Sequence, residues 1–291
     1  MSWRTVVIQS RCKLDLKLGF MVVRSEDIKR ICLDEISVII IENTAVSVTS
    51  CLLNELMKRK IKVIFCDEYH NPSSELMSYY GSHDTAVKLR CQTRWSEYIK
   101  QAVWTCIVTE KIRKQMQLLY RLGMNERADL LNGYIDEIEF NDETNREGHA
   151  AKVYFNALFG KEFSRNADIA INAALNYGYS ILLSYINREI TSHGYITQLG
   201  LFHDNMFNNF NFGSDLMEPF RPIIDEFVYN KKYNIFEREQ KHEVLKIFES
   251  TVTVNGQVQY LPNAITLYCR SVFEALNENN PDVIKTYEVD M

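Results

Sequence analysis

Residues Ser37-Val38-Ile39-Ile40-Ile41 form a continuous apolar, β-branched run. Such side chains suit a pleated strand, and a run without polar alternation is expected of a strand covered on both faces. Other strand signals surround it. Thr5-Val6-Val7-Ile8 is short and β-branched. Lys13 to Phe20 alternates polar and apolar with period two, the mark of a half-buried strand. Gly19 weakens that strand's end or marks a turn into Met21-Val22-Val23. A helix is expected from about Val46 to Arg59, ending on Lys58-Arg59-Lys60, cations that suit the negative end of the helix dipole. Lys62 to Cys66 reads as another strand. Residues 1–72 thus predict a small β-rich domain carrying one helix.

Asp67 to His83 changes character. Asn71-Pro72-Ser73-Ser74 and Gly81-Ser82 read as loop, giving a linker over 73–84. From Thr85 the pattern is helical, and residues 85–291 are expected to form a second, helical domain. Val87 to Leu122 is one long helix or two, ended by Gly123. Further helices are expected over Asn125–Ile138, Asn145–Leu158, Ala167–Glu189 and Asn263–Leu276. Asn255-Gly256, between Thr251–Val254 and Val258–Tyr260, is the strongest hairpin signal in the chain. The tail from Asn277 to Met291 is polar and expected to be loose. The fold class is α+β.

With 291 residues, 46% of them apolar, the chain can build a real core. A net charge of −5 does not point to nucleic acid, so a DNA binder would have to gather its cations on one face. Lys88, Arg90, Arg94, Lys100, Lys111, Arg113, Lys114 and Arg121 are such a gathering, either a solvated face or a phosphate track. The aromatics Tyr79, Tyr80, Trp95, Tyr98 and Trp104 are interleaved with them, as core or as stacking surfaces for splayed bases. The seven cysteines are dispersed without a CxxC pair, as reduced and mostly buried thiols of a cytoplasmic protein would be. Arg4 and Gln9-Ser10-Arg11 interrupt the only short apolar run near the start, which argues against a signal peptide. No apolar segment approaches the ~20 residues that span a bilayer. A soluble, cytoplasmic protein without membrane contact is expected.

The chemistry-bearing residues fall in Gly200-Leu201-Phe202-His203-Asp204-Asn205 and Ser214-Asp215-Leu216-Met217-Glu218-Pro219-Phe220-Arg221-Pro222. A histidine and two carboxylates on neighbouring elements are ligand types that a divalent metal takes. Ser214 reads as an N-cap, so Asp215 opens a helix and Glu218 lies three positions on, on the same face. Acids also suit a first helical turn for the dipole alone. Pro219 and Pro222 make that helix irregular, and irregular backbone is tolerated where a site needs a particular geometry. Arg221 is placed to pair with Asp225 at i,i+4 or to reach a phosphate. By itself, His203 reads as a hydrogen-bonded core histidine or a ligand; the nearby acids favour the ligand. Glu147 is either one more exposed acid beside Asp142 and Glu143 or a third ligand. Gly148, Ala150 and Ala151 let its helix pack closely, and an acid on such a helix wants a cation. His149, two residues from Glu147, points to a different side.

Taken with Asn172-Ala173-Ala174-Leu175-Asn176-Tyr177-Gly178-Tyr179-Ser180, these segments resemble the CRISPR-associated integrase, the universal spacer-acquisition protein. The wording around His203 and Glu218 resembles the branch that accompanies the single-protein RNA-guided effector nuclease of type II systems. Ile36–Asn43 and Ile61–Pro72 resemble the family's N-terminal domain. The resemblance implies a β-sandwich-like domain followed by an all-α catalytic domain. It implies Glu147, His203 and Glu218 as ligands of Mg²⁺ or Mn²⁺, and Asp215 as a supporting acid. It also implies a homodimer through the β domains, two of which clamp a dimer of a small ferredoxin-like adaptation protein. The type II effector nuclease and accessory adaptation proteins are further expected partners. Many relatives carry a proline in the loop before the histidine; Thr197-Gln198-Leu199-Gly200 lacks it, which bears on the loop's rigidity.

The expected function is that of a metal-dependent DNA integrase and endonuclease. The 3′-hydroxyl of a short double-stranded foreign fragment attacks a phosphodiester of the CRISPR repeat, and water in its place gives nuclease activity. The basic residues Lys88, Arg90, Arg94, Lys111, Arg113 and Arg221 are the candidate DNA contacts. Two other readings compete: a non-catalytic DNA-binding scaffold, and a metal-dependent hydrolase of a small phosphorylated substrate.

Overall fold

The computed structural model describes residues 4–77 and 82–288. Tyr79, Tyr80 and Gly81 lie outside them. The apolar run becomes β5 (Ile36–Ile41), buried along its whole length. It pairs in parallel with β1 (Arg4–Ile8) and β7 (Lys62–Cys66). β8 (Pro72–Leu76) adds antiparallel to β7 and completes a four-stranded sheet. The second sheet is a meander of β2 (Lys13–Lys17), β3 (Phe20–Arg24) and β4 (Ile28–Cys32), with the short β6 (Ser47–Val48) beside β2. Leu18 and Gly19 both take positive φ at the β2–β3 turn, as a tight two-residue hairpin requires. α1 (Ser50–Lys58) carries the crossover from β5 to β7.

The alternation within β5 explains its apolar run. Ile36, Ile39 and Ile41 join Leu14, Met21, Leu33, Leu52 and Val63 in the core of the β-rich part. Val38 and Ile40 turn the other way, into the core of the helical part. One sheet is therefore buried on both faces, against two different neighbours. Polar contacts reinforce that junction: Arg188 Nε donates to the Lys60 carbonyl at 2.7 Å, and the Thr5 and Tyr185 hydroxyls lie 2.8 Å apart.

The helical part begins with α2 (Thr85–Gln92) and α3 (Glu97–Arg121). The expected long helix is therefore two, with Ser96 capping the second through the Ile99 amide. α4 (Asn125–Asp136), α5 (Arg146–Phe159) and α6 (Ala170–Ser192) follow. α7 (Asn211–Leu216), α8 (Arg221–Lys231), α9 (Arg238–Leu245), the hairpin β9–β10 (Thr251–Val254, Gln257–Tyr260) and α10 (Leu261–Glu278) complete it. Asn255 and Gly256 have φ of 50° and 70°, so the hairpin turn forms where expected.

Three expectations need correction. The stretch 67–83, read as loop, contains β8, because Ser74, Glu75 and Leu76 complete the β7 ladder despite a turn-like composition. Asp215 does not open a helix; it lies within α7, and Glu218 starts a separate 3₁₀ turn, Glu218–Phe220, before α8. The tail is not loose as far as residue 288. Tyr287 is buried, its hydroxyl donates to the Pro219 carbonyl at 3.1 Å, and the Glu288 amide donates to Thr253. One buried aromatic outweighs a polar sequence there.

Candidate active site

The N-terminal turn of α5 presents Glu147. Asn145, in the left-handed region at φ 53°, caps that helix by accepting from the Gly148 amide. Asp142 accepts from the amides of Arg146 and Glu147, at 2.7 and 3.1 Å. Glu147 is thus held at the helix end, and its carboxylate meets the Lys111 ammonium of α3. The same ammonium lies 2.5 Å from Glu218 Oε2. Glu218 is buried, and its Oε1 receives Arg221 at 2.9 Å. Arg221 also stands over the Tyr179 ring, 4.8 Å from its centroid.

The charges decide one another's protonation. Burial alone pushes the Glu218 carboxyl upward, but Arg221 and Lys111 outweigh it and hold the group below its ordinary value. Burial pulls the Lys111 ammonium down, and Glu218 with Glu147 brings it above its ordinary value. The Glu218 carboxylate and the Lys111 ammonium therefore keep each other ionised.

His203 lies on the loop between α6 and α7. Asp215, fully buried, accepts the backbone N–H groups of Leu201, Phe202 and His203 at 2.6, 3.2 and 3.1 Å. It also takes His203 Nδ1 at 2.5 Å. A carboxylate only accepts, so Nδ1 carries the proton and Nε2 keeps its lone pair when the ring is neutral. That hydrogen bond raises the His203 pKa, against the opposing effect of burial. Gly200 is required beside it, since a Cβ there would run into the His203 carbonyl and the Asp215 carboxylate. The loop needs no proline to be rigid: Asp215 holds three consecutive amides.

Among the described residues, no three His, Cys, Asp or Glu side chains converge closely enough to hold one metal ion. The expected single point for Glu147, His203 and Glu218 is not formed. Lys111 fills the place between the two carboxylates. The donor chemistry nonetheless fits a small divalent cation. Glu218 Oε2 meets only the Lys111 ammonium, and His203 Nε2 has no partner among the described residues. Two carboxylates facing a resident cation and an oriented imidazole are groups such an ion accepts.

Of the basic candidates, Lys111 is no surface cation, and Arg221 belongs to the same cluster. Arg221 does not pair with Asp225. That carboxylate instead accepts the Tyr154 hydroxyl at 3.0 Å and the Tyr179 hydroxyl. Arg113 is held by Glu110, and Lys88 lies over Tyr195 and 4.0 Å from Asp84. Arg90 and Arg94 are exposed, on α2 and the turn after it. Lys111 sits about 20 Å along α3 from its start, so Lys88, Arg90 and Arg94, which precede that start, lie toward the far end. Tyr179, whose ring lies under Arg221 and whose hydroxyl donates to Asp225, was given no role by the sequence, and Asp225 was given a different one. The run Asn176–Ser180 was the signal of Tyr179. All seven cysteines are free, but Cys51 and Cys91 are exposed rather than buried. No described helix is long and apolar enough to cross a membrane.

The fold, a two-sheet N-terminal part joined to a helical part, is that of a family of CRISPR-associated proteins. Residues 5–245 match the family model described as CRISPR associated protein Cas1, and the chain belongs to that family. It is 36% identical over 226 residues to the CRISPR-associated endonuclease Cas1 of Neisseria meningitidis, covering 77% of this chain and 74% of that one. In fold it is similar to a CAS1 protein from Thermotoga maritima, with TM-score 0.76 and 16% identity over 99% of this chain and 100% of the other. It is also similar to a casposase bound to integration product, with TM-score 0.75 and 18% identity over 96% and 92% of the two chains.

Proposed function

We propose that this chain is a divalent-metal-dependent DNA integrase and endonuclease of CRISPR adaptation. The observation that carries the reading is the buried Glu218 carboxylate, facing Glu147 across Lys111, with Oε2 engaged only by that ammonium. Glu147, Glu218 and His203 Nε2 would hold Mg²⁺ or Mn²⁺, which when bound supplies Lewis acidity toward a phosphoryl oxygen. Asp215 fixes the imidazole's tautomer and orientation. Lys111 and Arg221 oppose the charge that a phosphate brings into the cluster. A 3′-hydroxyl oxygen forms the new P–O bond, and the 3′ oxygen of the cut repeat strand leaves and takes a proton. Water in place of the hydroxyl yields hydrolysis. The substrates are double-stranded fragments with free 3′ ends and CRISPR repeat DNA. Exposed Arg90 and Arg94, with Lys88 and Arg113, are the candidate backbone contacts.

The assembly follows the family pattern: a homodimer through the β-rich part, residues up to Leu76, with residues 85–291 catalytic. The small ferredoxin-like adaptation protein, the effector nuclease and accessory adaptation proteins are the partners. A chain that sediments as a monomer at micromolar concentration would remove the dimer. The catalytic reading is tested by joining a fragment with free 3′ ends to a supercoiled repeat-bearing plasmid, with Mg²⁺ or Mn²⁺ and the small partner present. His203→Ala should retain DNA binding and lose at least about 100-fold in joining. Joining at the wild-type rate would replace the enzyme with a DNA-binding scaffold.

A further inference from the structure

Phe202 is 49% exposed, although it directly precedes His203. Its backbone is pinned, because its own amide and those on either side all donate to Asp215. Its ring lies flat on that of Trp104, with centroids 4.6 Å apart and planes within 3°. Trp104 is buried. His203 stands edge-on to both rings, at 5.7 and 5.8 Å. Trp104 therefore covers one side of the Phe202 ring, and the exposed remainder lies beside the acid–histidine cluster. Met206 and Phe207, on the same loop, are 87% and 86% exposed.

We propose that Phe202 is a stacking platform for an unpaired nucleobase at a DNA strand end, holding the terminal nucleotide beside His203. A flat aromatic ligand extends an existing parallel pair of rings. An aliphatic side chain from a protein partner has no use for that alignment. The charges agree with the same ligand, since Arg221, whose side chain is partly exposed, lies in the neighbouring cluster. Stacking of this kind accepts any base, because every base has a π face. The proposal rests on the DNA reading above and adds a subsite to it.

The probe is a short duplex with 2-aminopurine as an unpaired 3′-terminal base, bound in EDTA so that no chemistry occurs. Wild-type protein should quench its fluorescence. Phe202→Leu keeps an apolar contact with Trp104 but offers no ring. It should lose the quenching and bind about tenfold more weakly. Phe202→Trp should restore both. An abasic end should weaken the wild type by the same factor and leave Phe202→Leu unaffected. Undiminished quenching by Phe202→Leu, or equal losses from the abasic end in both proteins, overturns the platform. So does a shift in sedimentation of Phe202→Leu with DNA binding unchanged, which would assign the ring to a protein interface. A wild type that binds no DNA removes both proposals. One that quenches but never cuts or joins removes only the catalytic one.

Discussion

Asp225 offers a quantitative test of how the cluster is braced. It is fully buried at the back of the site, accepting the Tyr154 and Tyr179 hydroxyls. Burial raises its pKa from 3.8 to about 6, against the opposing pull of the two tyrosines and of Arg221 and Lys111. An acid whose folded pKa is raised holds its proton longer in the native state than in the unfolded one. Its contribution is therefore most favourable below the unfolded value and declines as pH climbs to the folded one. A rise of about two units corresponds to about 3 kcal/mol, of which about 1.4 is lost between pH 5 and pH 8. Asp225→Asn keeps the shape and an acceptor for one tyrosine but cannot ionise. The stability difference between variant and wild type should move by about 1.4 kcal/mol in the variant's favour over that range. Urea titrations at pH 5, 6, 7 and 8 read it from the fluorescence of Trp95 and Trp104, both buried in the helical part. The comparison with the variant cancels titrating groups shared by both proteins. A difference that stays flat with pH, or moves toward the wild type, would refute the raised pKa of Asp225 and the buried brace built on it.

Two further outcomes follow from the same packing. Lys111→Met leaves Glu147 and the buried Glu218 facing each other without their cation. It should cost about 3–5 kcal/mol, and Mn²⁺ should stabilise the variant more than the wild type in thermal denaturation; an unchanged melting curve would show that Lys111 does not hold the carboxylates. Gly178→Ala places a Cβ 2.5 Å from Ile224 Cγ2, where α6 meets α8. Helix propensity favours Ala by about 1 kcal/mol, but forced overpacking costs about 1–3, so net destabilisation is expected. Combined with Ile224→Ala, it should cost less than the two single losses added, and strict additivity would mean the residues do not touch.

How far the site could be read from the chain depended on where each partner lay. The β5 run and the Asn255-Gly256 turn were legible because strand burial and a tight turn are written in adjacent residues. His203 and Asp215 were legible as a pair because only twelve positions separate them. Even so, the roles shifted. Asp215 was read as opening a helix, whereas it lies inside α7, turned toward the loop, with three amides and the imidazole on it. Lys111 was harder. Its spacing along α3 matches that of a phosphate-facing cation, and its neighbours Ile112 and Lys114 give no sign of which face is buried. The carboxylates that draw it inward come from α5 and from the turn before α8. A buried charge is tolerable only beside its counter-charge, so its place in the fold is set by a partner distant in sequence. The same holds for Arg221. An i,i+4 rule points it at Asp225, but two tyrosines from α5 and α6 already occupy that acid, and Arg221 turns instead to Glu218. Local patterns therefore placed the ligand-bearing segments, while the cations that tune them became assignable only once the helices had brought their acids together.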